Sequence, residues 1–372
     1  MKLETEGLLA GIRAWVEIES PTSDKDGVNR VMTAAANDFI KTGARITRHA
    51  GTATTGDHLE IASSWGGDGP GVLVLCHLDT VHPLGSLAGP LPYRVDGDRA
   101  YGPGIYDMKG GAYLAHAALA AIAAEGKTTP LPIRLLYVAD EETGSRTSRA
   151  LIEKTGDNAK YVLVVEPARD GGKIVVARKG VGRYDIRTTG RAAHSGARHE
   201  EGRSAIREMC HQVERLEAMT DYARGITINI GQISGGTAEN VVPQFCDASI
   251  DLRVKTIADA EKMDAIFRSL KSVNPDVTIS VDGGLNRPPY EENDGVRHLF
   301  GHAKSLAKEL GIDLAGVSTG GGSDGNFIAH KVATLDGLGV DGNGAHTHDE
   351  HLLISSLVPR ATLLRRLYET LR

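Results

Sequence analysis

The first half of the chain alternates short apolar runs with amphipathic stretches. Residues 71–77, GVLVLCH, are a nearly continuous apolar run, which is typical of a strand buried on both faces of a sheet. The alternation continues on both sides of this run, with strands predicted at 59–64, 131–140 and 161–167 and helices at 26–42, 112–125 and 145–156. This order predicts an α/β domain with a mixed, largely parallel sheet.

From about Gly180 the pattern changes to alternating apolar and polar residues, as in half-exposed antiparallel strands. The segments that follow predict a helix at 204–219, strands at 226–234 and 244–254, a helix at 258–271 and a strand at 277–281. This β-α-β-β-α-β order predicts a ferredoxin-like α+β insert. The α/β pattern then resumes, with helices at 294–310 and 355–371 and a short strand at 331–336. We therefore predict one domain from 1–179 and 285–372, interrupted by an inserted domain at 180–284.

Composition fits this prediction of two domains and limits the classes of partner that are expected. The 372 residues are 41% hydrophobic and 24% charged, as in globular proteins. A formal net charge of −6 argues against nucleic acid or an anionic membrane as a partner. The N-terminal segment has no secretory pattern and no run approaches about 18 apolar residues, which predicts a cytoplasmic protein. Three cysteines at unrelated spacings are expected to be reduced thiols.

Five histidine and acidic residues stand out, and four of their places are the carboxyl ends of predicted strands or the loops after them. They are His77, Asp107, Glu142, Glu166 and His346. Taken singly, a histidine at a strand end is more often structural, and paired glutamates are usually solvated. Open α/β sheets, however, build their sites at the carboxyl ends of strands, and buried carboxylates repel one another unless a cation compensates them. Together they indicate a metal site.

Nine stretches, in this order over nearly the whole chain, resemble the M20 family of metallopeptidases, of the carboxypeptidase G2, acetylornithine deacetylase and succinyl-diaminopimelate desuccinylase type. They are CHLDTVHP, YGPGIYDMKGG, ADEETGS, VVEP, GRAAHSG, GGTAENVVP, DLR, STGGGSDGN and AHTHDEHL. The resemblance implies a zinc-peptidase-like catalytic domain that binds two divalent metal ions, and an insert that serves as a lid and dimerisation domain.

The resemblance also implies a ligand set. His77 and Glu166 would hold one ion, Glu142 and His346 the other, and Asp107 would bridge them. Two ions bring a charge of +4, which three carboxylates and one hydroxide balance. One nitrogen, one private carboxylate, the shared carboxylate and the hydroxide give each ion the four ligands that zinc prefers, although cobalt and manganese accept the same donors.

Three further residues are predicted to have catalytic roles, two of them from the resemblance and Asp79 from its position on the strand. Glu141 matches the general base, although acids also favour the start of a helix. Asp79 lies two residues after His77 on the same predicted strand face, where it can accept the second N–H of the imidazole. His194 matches a residue that stabilises the oxyanion and, in dimers, reaches the partner subunit's site. Near His346, His348 is a rival ligand that loop geometry leaves open.

The substrate carboxylate has its own expected contacts. Arg253 matches the arginine that binds this group, since guanidinium and carboxylate pair in a bidentate manner, and Asn240 is a second polar contact. The glycine-rich loop with Gly321 and Ser323 could present backbone N–H groups as an anion-binding nest. The alternatives are a solvent-facing arginine and an ordinary tight turn.

The predicted activity is hydrolysis of an amide bond next to a free carboxylate, in a small molecule or peptide, as in glutamate carboxypeptidases. Glu166 favours this branch, since the resemblance would lead to Asp in the aminopeptidases. An N-acyl amino acid deacylase shares the same metal residues and remains open. A non-catalytic metal-binding relative is the alternative of another class, and Glu141 argues against it. A homodimer is expected, with hinges of the lid near Gly180 and Gly284.

Overall fold

The computed structural model describes residues 2–372, which divide into two compact units. The first unit comprises the chain up to Ala177, together with Glu292–Ser318 and Ser323–Arg372. The second comprises Arg178–Glu291 and Thr319–Gly322. The insert predicted from the sequence, residues 180–284, lies wholly within the second unit.

The first unit contains six helices and twelve strands among its described residues, two of which, β8 and β13, end one residue into the second unit. The helices are α1 (Thr5–Val16), α2 (Lys25–Ile40), α3 (Gly110–Ala124), α4 (Arg149–Gly156), α7 (Asp294–Glu309) and α8 (Leu357–Thr370). The strands are β1 (Arg45–His49), β2 (His58–Ala62), β3 (Gly71–His77), β4 (Arg94–Asp96), β5 (Arg99–Tyr101), β6 (Ile133–Val138), β7 (Ala159–Val164), β8 (Ile174–Arg178), β13 (Gly316–Thr319), β14 (Thr334–Leu335), β15 (Gly342–Asn343) and β16 (His351–Leu353).

The central sheet of this unit is mixed, with strand order β1-β2-β6-β3-β7-β14. β3 pairs in parallel with β6 and β7, and β14 pairs in parallel with β7, whereas β1, β2 and β6 pair antiparallel. All seven residues of β3 and all six of β6 are buried, as their apolar runs predict. Because β3, β6 and β7 are parallel, their carboxyl ends lie at one edge, which brings the segments after them together.

Helix α3 covers this sheet through an alanine-rich surface and is buried along nearly its whole length. Its second residue, Gly111, shows how closely it approaches the loop after β7. A Cβ placed on Gly111 would lie 2.0 Å from the backbone oxygen of Val165. Any side chain there would push α3 away from the residue before Glu166, so this glycine is required by close backbone approach.

A smaller antiparallel sheet, β15-β16-β5-β4, completes the same unit. Its register pairs His351 with Tyr101 and Leu352 with Ala100. The sequence did not predict this sheet, since strands of two or three residues are too short to show a periodic pattern. It joins the segment before Asp107 to the segment after His346.

The second unit contains, in chain order, β9 (Gly180–Thr189), α5 (Ala205–Glu217), β10 (Thr227–Gly235), β11 (Phe245–Val254), α6 (Ile257–Arg268) and β12 (Thr278–Arg287). Its antiparallel sheet has the order β10-β11-β9-β12, which with two helices is the predicted β-α-β-β-α-β arrangement. β11 alternates buried and less buried residues along its length, and Tyr184 stacks on Phe267 in the core. Among the helices of the described residues, none combines the length and apolar character needed to cross a bilayer.

One buried residue of the first unit makes its stability depend on pH. The ring of His116 is buried and packs among Trp15, Phe39 and Tyr113. Burial lowers the pKa of His116 below its usual value. Below about pH 6.5 the unfolded chain therefore binds a proton that the folded chain resists, and stability falls as the pH falls.

We expect His116→Leu to reduce this acid sensitivity. The gain relative to the unchanged protein should grow by up to about 1.4 kcal/mol for each pH unit below about 6.5, until the pKa of the folded state is reached. Urea unfolding of the metal-free protein at pH 7.5, 6.5 and 5.5 measures this difference. His199→Gln, at an exposed position, is the control. Parallel pH profiles for all three proteins would contradict the assignment.

Candidate metal centre

The first group of possible ligands lies at the carboxyl end of β3. His77 is the last residue of that strand and is 1% exposed. Its Nε2 atom lies 3.3 Å from Oδ1 of Asp107 and 3.7 Å from Oε1 of Glu166. One ligand atom from each of the three residues lies within 4.8 Å of the others. The structure thus brings together three residues that are 89 positions apart at the extremes, 166 − 77.

The second group shares Asp107 with the first. Nε2 of His346 lies 3.4 Å from Oδ2 of Asp107 and 3.2 Å from Oε2 of Glu142, and these ligand atoms also lie within 4.8 Å of one another. Asp107 therefore faces one histidine with each carboxylate oxygen, and it is the only residue common to both groups that the described part of the chain provides. Such sharing is the arrangement that a bridging ligand requires.

The buried polar atoms of the two groups test whether metal ions fit. Nε2 of His77, Oδ1 of Asp107 and Oε1 of Glu142 are buried, and residues 2–372 provide no hydrogen-bond partner for any of them. Leaving one buried polar atom unsatisfied costs about 1–3 kcal/mol, so three in one place call for a bound group. Imidazole nitrogens with carboxylate oxygens are donors that zinc, cobalt and manganese accept. The residues fit a pair of divalent cations.

The charges of the site lead to the same requirement. Burial opposes protonation of His77, but the carboxylates of Asp107 and Asp79 outweigh it and hold its pKa well above its usual value. Hydrogen bonding to Asp107 and Glu142 raises the pKa of His346 to about 10. Burial, together with the charge of Asp107, raises the pKa of Glu142. Each shift favours added positive charge, which divalent ions would supply by displacing protons.

Asp79 has a wider role than the sequence predicts. Nδ1 of His77 lies 2.9 Å from the backbone oxygen of Asp79 but 3.5 Å from its carboxylate, so the nearer partner is the carbonyl. The carboxylate instead accepts the backbone N–H groups of Glu141 and Glu142, each at 3.2 Å, and the hydroxyl of Thr22 at 2.7 Å. The prediction gave the carboxylate as the acceptor, and the carbonyl lies nearer because the chain turns after His77 and no longer alternates as a strand. Asp79 positions the imidazole and the Glu141–Glu142 pair together.

The loop after β6 carries this glutamate pair on a short 3₁₀ turn, Glu141–Thr143. The preceding Asp140, which the sequence analysis did not single out, is 2% exposed. Its carboxylate accepts the N–H and the hydroxyl of Thr147 at 2.6 and 2.8 Å and the hydroxyl of Ser148 at 2.6 Å. Carboxylates thus hold the turn from both sides, which fixes the direction in which Glu142 enters the site.

The rival histidine of the late loop lies outside both groups. His348 is exposed and belongs to neither ligand group, whereas His346 belongs to the second. His346 adopts a φ of 64°, in the left-handed region that non-glycine residues seldom occupy. The loop geometry that decides between the two histidines thus brings His346 to Asp107 and Glu142.

Two buried residues beside the centre were not predicted as functional. Glu350 accepts the backbone N–H of Asp107 at 3.0 Å, and His82 lies 2.5 Å from the same carboxylate. The sequence held a signal for Glu350, since it is the acidic residue of the His-Thr-x-x-Glu pattern that begins at His346. For His82, the repeat of histidine within HLDTVH was the only sign.

The predicted oxyanion histidine lies in the second unit. His194 is exposed, and its Nδ1 accepts the N–H groups of Gly196 and Ala197, both at 3.2 Å. The proton of the neutral ring is therefore on Nε2, which makes Nε2 a donor. Asn240 is also exposed, and its backbone oxygen accepts the N–H of Ser195, so it lies beside the His194 loop.

The predicted carboxylate site is arranged differently from the expectation. Arg253 already makes a bidentate pair with Asp251, at 2.7 and 2.9 Å, and its Nη1 donates to the oxygen of Gly320 at 3.3 Å. Within the described chain, no glycine of the run 320–322 has a positive φ, and Gly321 offers its carbonyl to Arg178. The loop therefore presents carbonyl oxygens to guanidinium groups, and the predicted anion-binding nest is wrong.

Ser323 begins the part of this loop that returns to the first unit. Its side chain is fully buried, the hydroxyl donating to Asp336 at 2.5 Å and accepting the N–H of Gly325 at 3.1 Å. These bonds cap the short turn Asp324–Phe327. The structure therefore shows Ser323 as an anchor of the loop.

Comparisons with known proteins find matches to a family model, to a sequence relative and to solved structures. The model of peptidase family M20/M25/M40 matches residues 73–370. Carboxypeptidase G2 of Pseudomonas sp. (strain RS-16) is 32% identical over 96% of this chain and 87% of its own length. Among solved structures, aminopeptidase PepT of Bacillus cereus aligns with a TM-score of 0.79 at 22% identity, over 98% of both chains. A dinuclear metal-binding M20 peptidase of Bacillus subtilis aligns with a TM-score of 0.72 at 14% identity, over 99% of both chains. The two structures share the fold.

Proposed function

The chain belongs to peptidase family M20/M25/M40 and is a metallohydrolase of that family, and we propose that it uses two divalent ions to cleave an amide bond next to a free carboxylate. The observation that carries this proposal is Asp107, whose two oxygens face His77 and His346 in two groups of ligands. Zinc is the metal we propose, with His77 and Glu166 on one ion and Glu142 and His346 on the other.

When bound, such ions make water acidic enough to attack a carbonyl at neutral pH and polarise that carbonyl. We assign to Glu141 the proton of the attacking water and its delivery to the leaving amine. The carboxylate of its neighbour Glu142 faces His346. We therefore assign proton transfer to Glu141 and metal ligation to Glu142. Asp79 holds the backbone of both. One carboxylate thus fixes the position of the proposed base, Glu141, relative to the proposed ligand, Glu142.

We propose further that His194 donates its Nε2–H to the developing oxyanion and that Arg253 binds the carboxylate of the substrate, with Asn240 in support. The pair with Asp251 orients the guanidinium of Arg253. We propose that the same guanidinium also binds the carboxylate of the substrate. The name of carboxypeptidase G2 and the glutamate at position 166 both support a carboxypeptidase, and we propose a C-terminal glutamate-like product from the resemblance of the sequence. The expected homodimer and lid stay predictions, and β10, an edge strand of the second unit, is where we place the dimer contact.

A substrate panel tests the reaction. Protein stripped with a chelator should be inactive and regain activity with zinc, cobalt or manganese. We expect N-acyl-glutamates to be hydrolysed, and analogues with the α-carboxylate changed to a carboxamide to lose about 10- to 100-fold in kcat/KM, because a charged hydrogen bond contributes about 1.5–3 kcal/mol. Preference for acetyl or succinyl amino acids over glutamyl substrates would identify a deacylase. Metal-loaded protein that cleaves no member of the panel would contradict the proposed function.

A further inference from the structure

Glu350 is a buried carboxylate of the first unit that the proposed reaction leaves unused. It is 1% exposed. Its Oε1 accepts the backbone N–H groups of Tyr106 at 2.9 Å and Asp107 at 3.0 Å. Its Oε2 accepts the N–H of Gly104 at 3.2 Å and lies 2.5 Å from Nε2 of His82. Four donors thus converge on one carboxylate, which compensates its burial.

These contacts join three segments that carry ligands. Glu350 is four residues after His346, and its own N–H donates to the oxygen of Thr347 at 3.3 Å. It holds the backbone of Asp107 directly, and through His82 it contacts the segment that begins at His77. Among the contacts of the described residues given above, no other side chain connects the segments of both histidines and the shared aspartate.

The backbone around Asp107 is irregular. Asp107 and Met108 have φ/ψ angles of −115°, 94° and −131°, 25°, which lie outside the helical range although a π-helical turn spans Ile105–Lys109. Outside a regular helix or strand ladder, the backbone N–H groups of Tyr106 and Asp107 need acceptors from elsewhere in the chain. Glu350 accepts both. The carboxylate therefore determines where the side chain of Asp107 leaves the backbone.

We propose that Glu350, braced by His82, is a positioning residue that sets the placement of Asp107 relative to His346 in the metal centre. The inference rests on the proposed function, since it assumes that these residues bind ions. Residues behind the ligands orient them, and their removal typically lowers metal affinity about 10- to 100-fold. A carboxylate that only stabilised the fold would change stability and leave the metal centre as it was.

The second unit offers a matched control for that distinction. Glu208 is 2% exposed and accepts the backbone N–H groups of Val273 at 2.9 Å and Asn274 at 3.0 Å and the amide of Gln212 at 2.8 Å. It is thus a second buried carboxylate bound to backbone amides, far in sequence from every proposed ligand. Glu208→Gln should reproduce the loss of stability from such a site without altering the metal centre.

The experiment compares the unchanged protein with Glu350→Gln, His82→Ala and Glu208→Gln. Equilibrium dialysis in zinc buffers measures the ions bound per chain, the visible absorption of the cobalt(II)-loaded protein reports ligand geometry, and urea unfolding reports stability. We expect Glu350→Gln to weaken at least one ion by about 10- to 100-fold and to alter the cobalt spectrum. His82→Ala should do the same to a smaller extent, since three backbone donors remain. Glu208→Gln should bind both ions with an unchanged spectrum.

Two failures remain distinguishable. An unchanged protein that binds no ions would refute the proposed metal centre itself. If it binds two ions, and Glu350→Gln has the same affinities and spectrum, the positioning role is refuted while the metal centre stands. Should Glu350→Gln not fold, His82→Ala decides, because an unaltered spectrum in that variant would refute the role and an altered one would support it.

Discussion

Glu141→Gln should abolish most turnover while both metal ions stay bound. The substitution keeps the size of the side chain, and it keeps the backbone N–H that donates to Asp79. It removes the carboxylate that we assign to proton transfer. General acid–base groups contribute about 10²–10⁴-fold to rate, so kcat should fall by that factor. Metal analysis of the purified variant and kcat at saturating substrate measure the two effects separately.

The matched control for this substitution is Glu153→Gln, a partly exposed glutamate whose contact is an ion pair with Arg149 one helical turn away. That variant should keep full activity. A Glu141→Gln protein with near-normal kcat would remove the proposed base and leave proton transfer without an assigned residue. One that also loses metal would instead show that the backbone of Glu142 had been disturbed.

Two of the proposed ligands were accessible from the sequence pattern itself because each comes at or soon after the end of a strongly patterned strand. His77 ends an unbroken apolar run, and Glu166 closely follows another, so the parallel pairing of β3 with β7 suffices to bring them to one edge. Asp107 and His346 lie in irregular loops, and their placement relied on the resemblance. No periodicity could have given the left-handed φ of His346 or the non-helical backbone at Asp107.

Within the site, several of the contacts that the sequence did not predict are bonds between side chains and backbone. Whether the carbonyl or the carboxylate of Asp79 receives the imidazole proton depends on a turn after His77, and a period-two pattern carries no information beyond the strand end. Gly320–Gly322 suggested a nest by composition, yet the guanidinium of Arg253 bonds to a carbonyl of that loop. The first of these contacts depends on a local turn and the second joins residues far apart along the chain, so only the three-dimensional structure reveals them.

Asp107→Ala should release both metal ions, whereas Glu166→Ala should release one. Asp107 belongs to both ligand groups and Glu166 to the first alone, so the two losses differ by one ion per chain if the aspartate is shared. Both variants should be inactive, because neither retains two metal ions. The number of metal ions bound per chain is therefore the informative quantity. Elemental analysis after dialysis against buffered zinc gives it, with Asp349→Ala, an exposed acid of the late loop, as the control that keeps two. If Asp107→Ala kept one tightly bound ion, the aspartate would bind a single metal ion. The proposed balance of three carboxylates and one hydroxide against two ions would then be wrong.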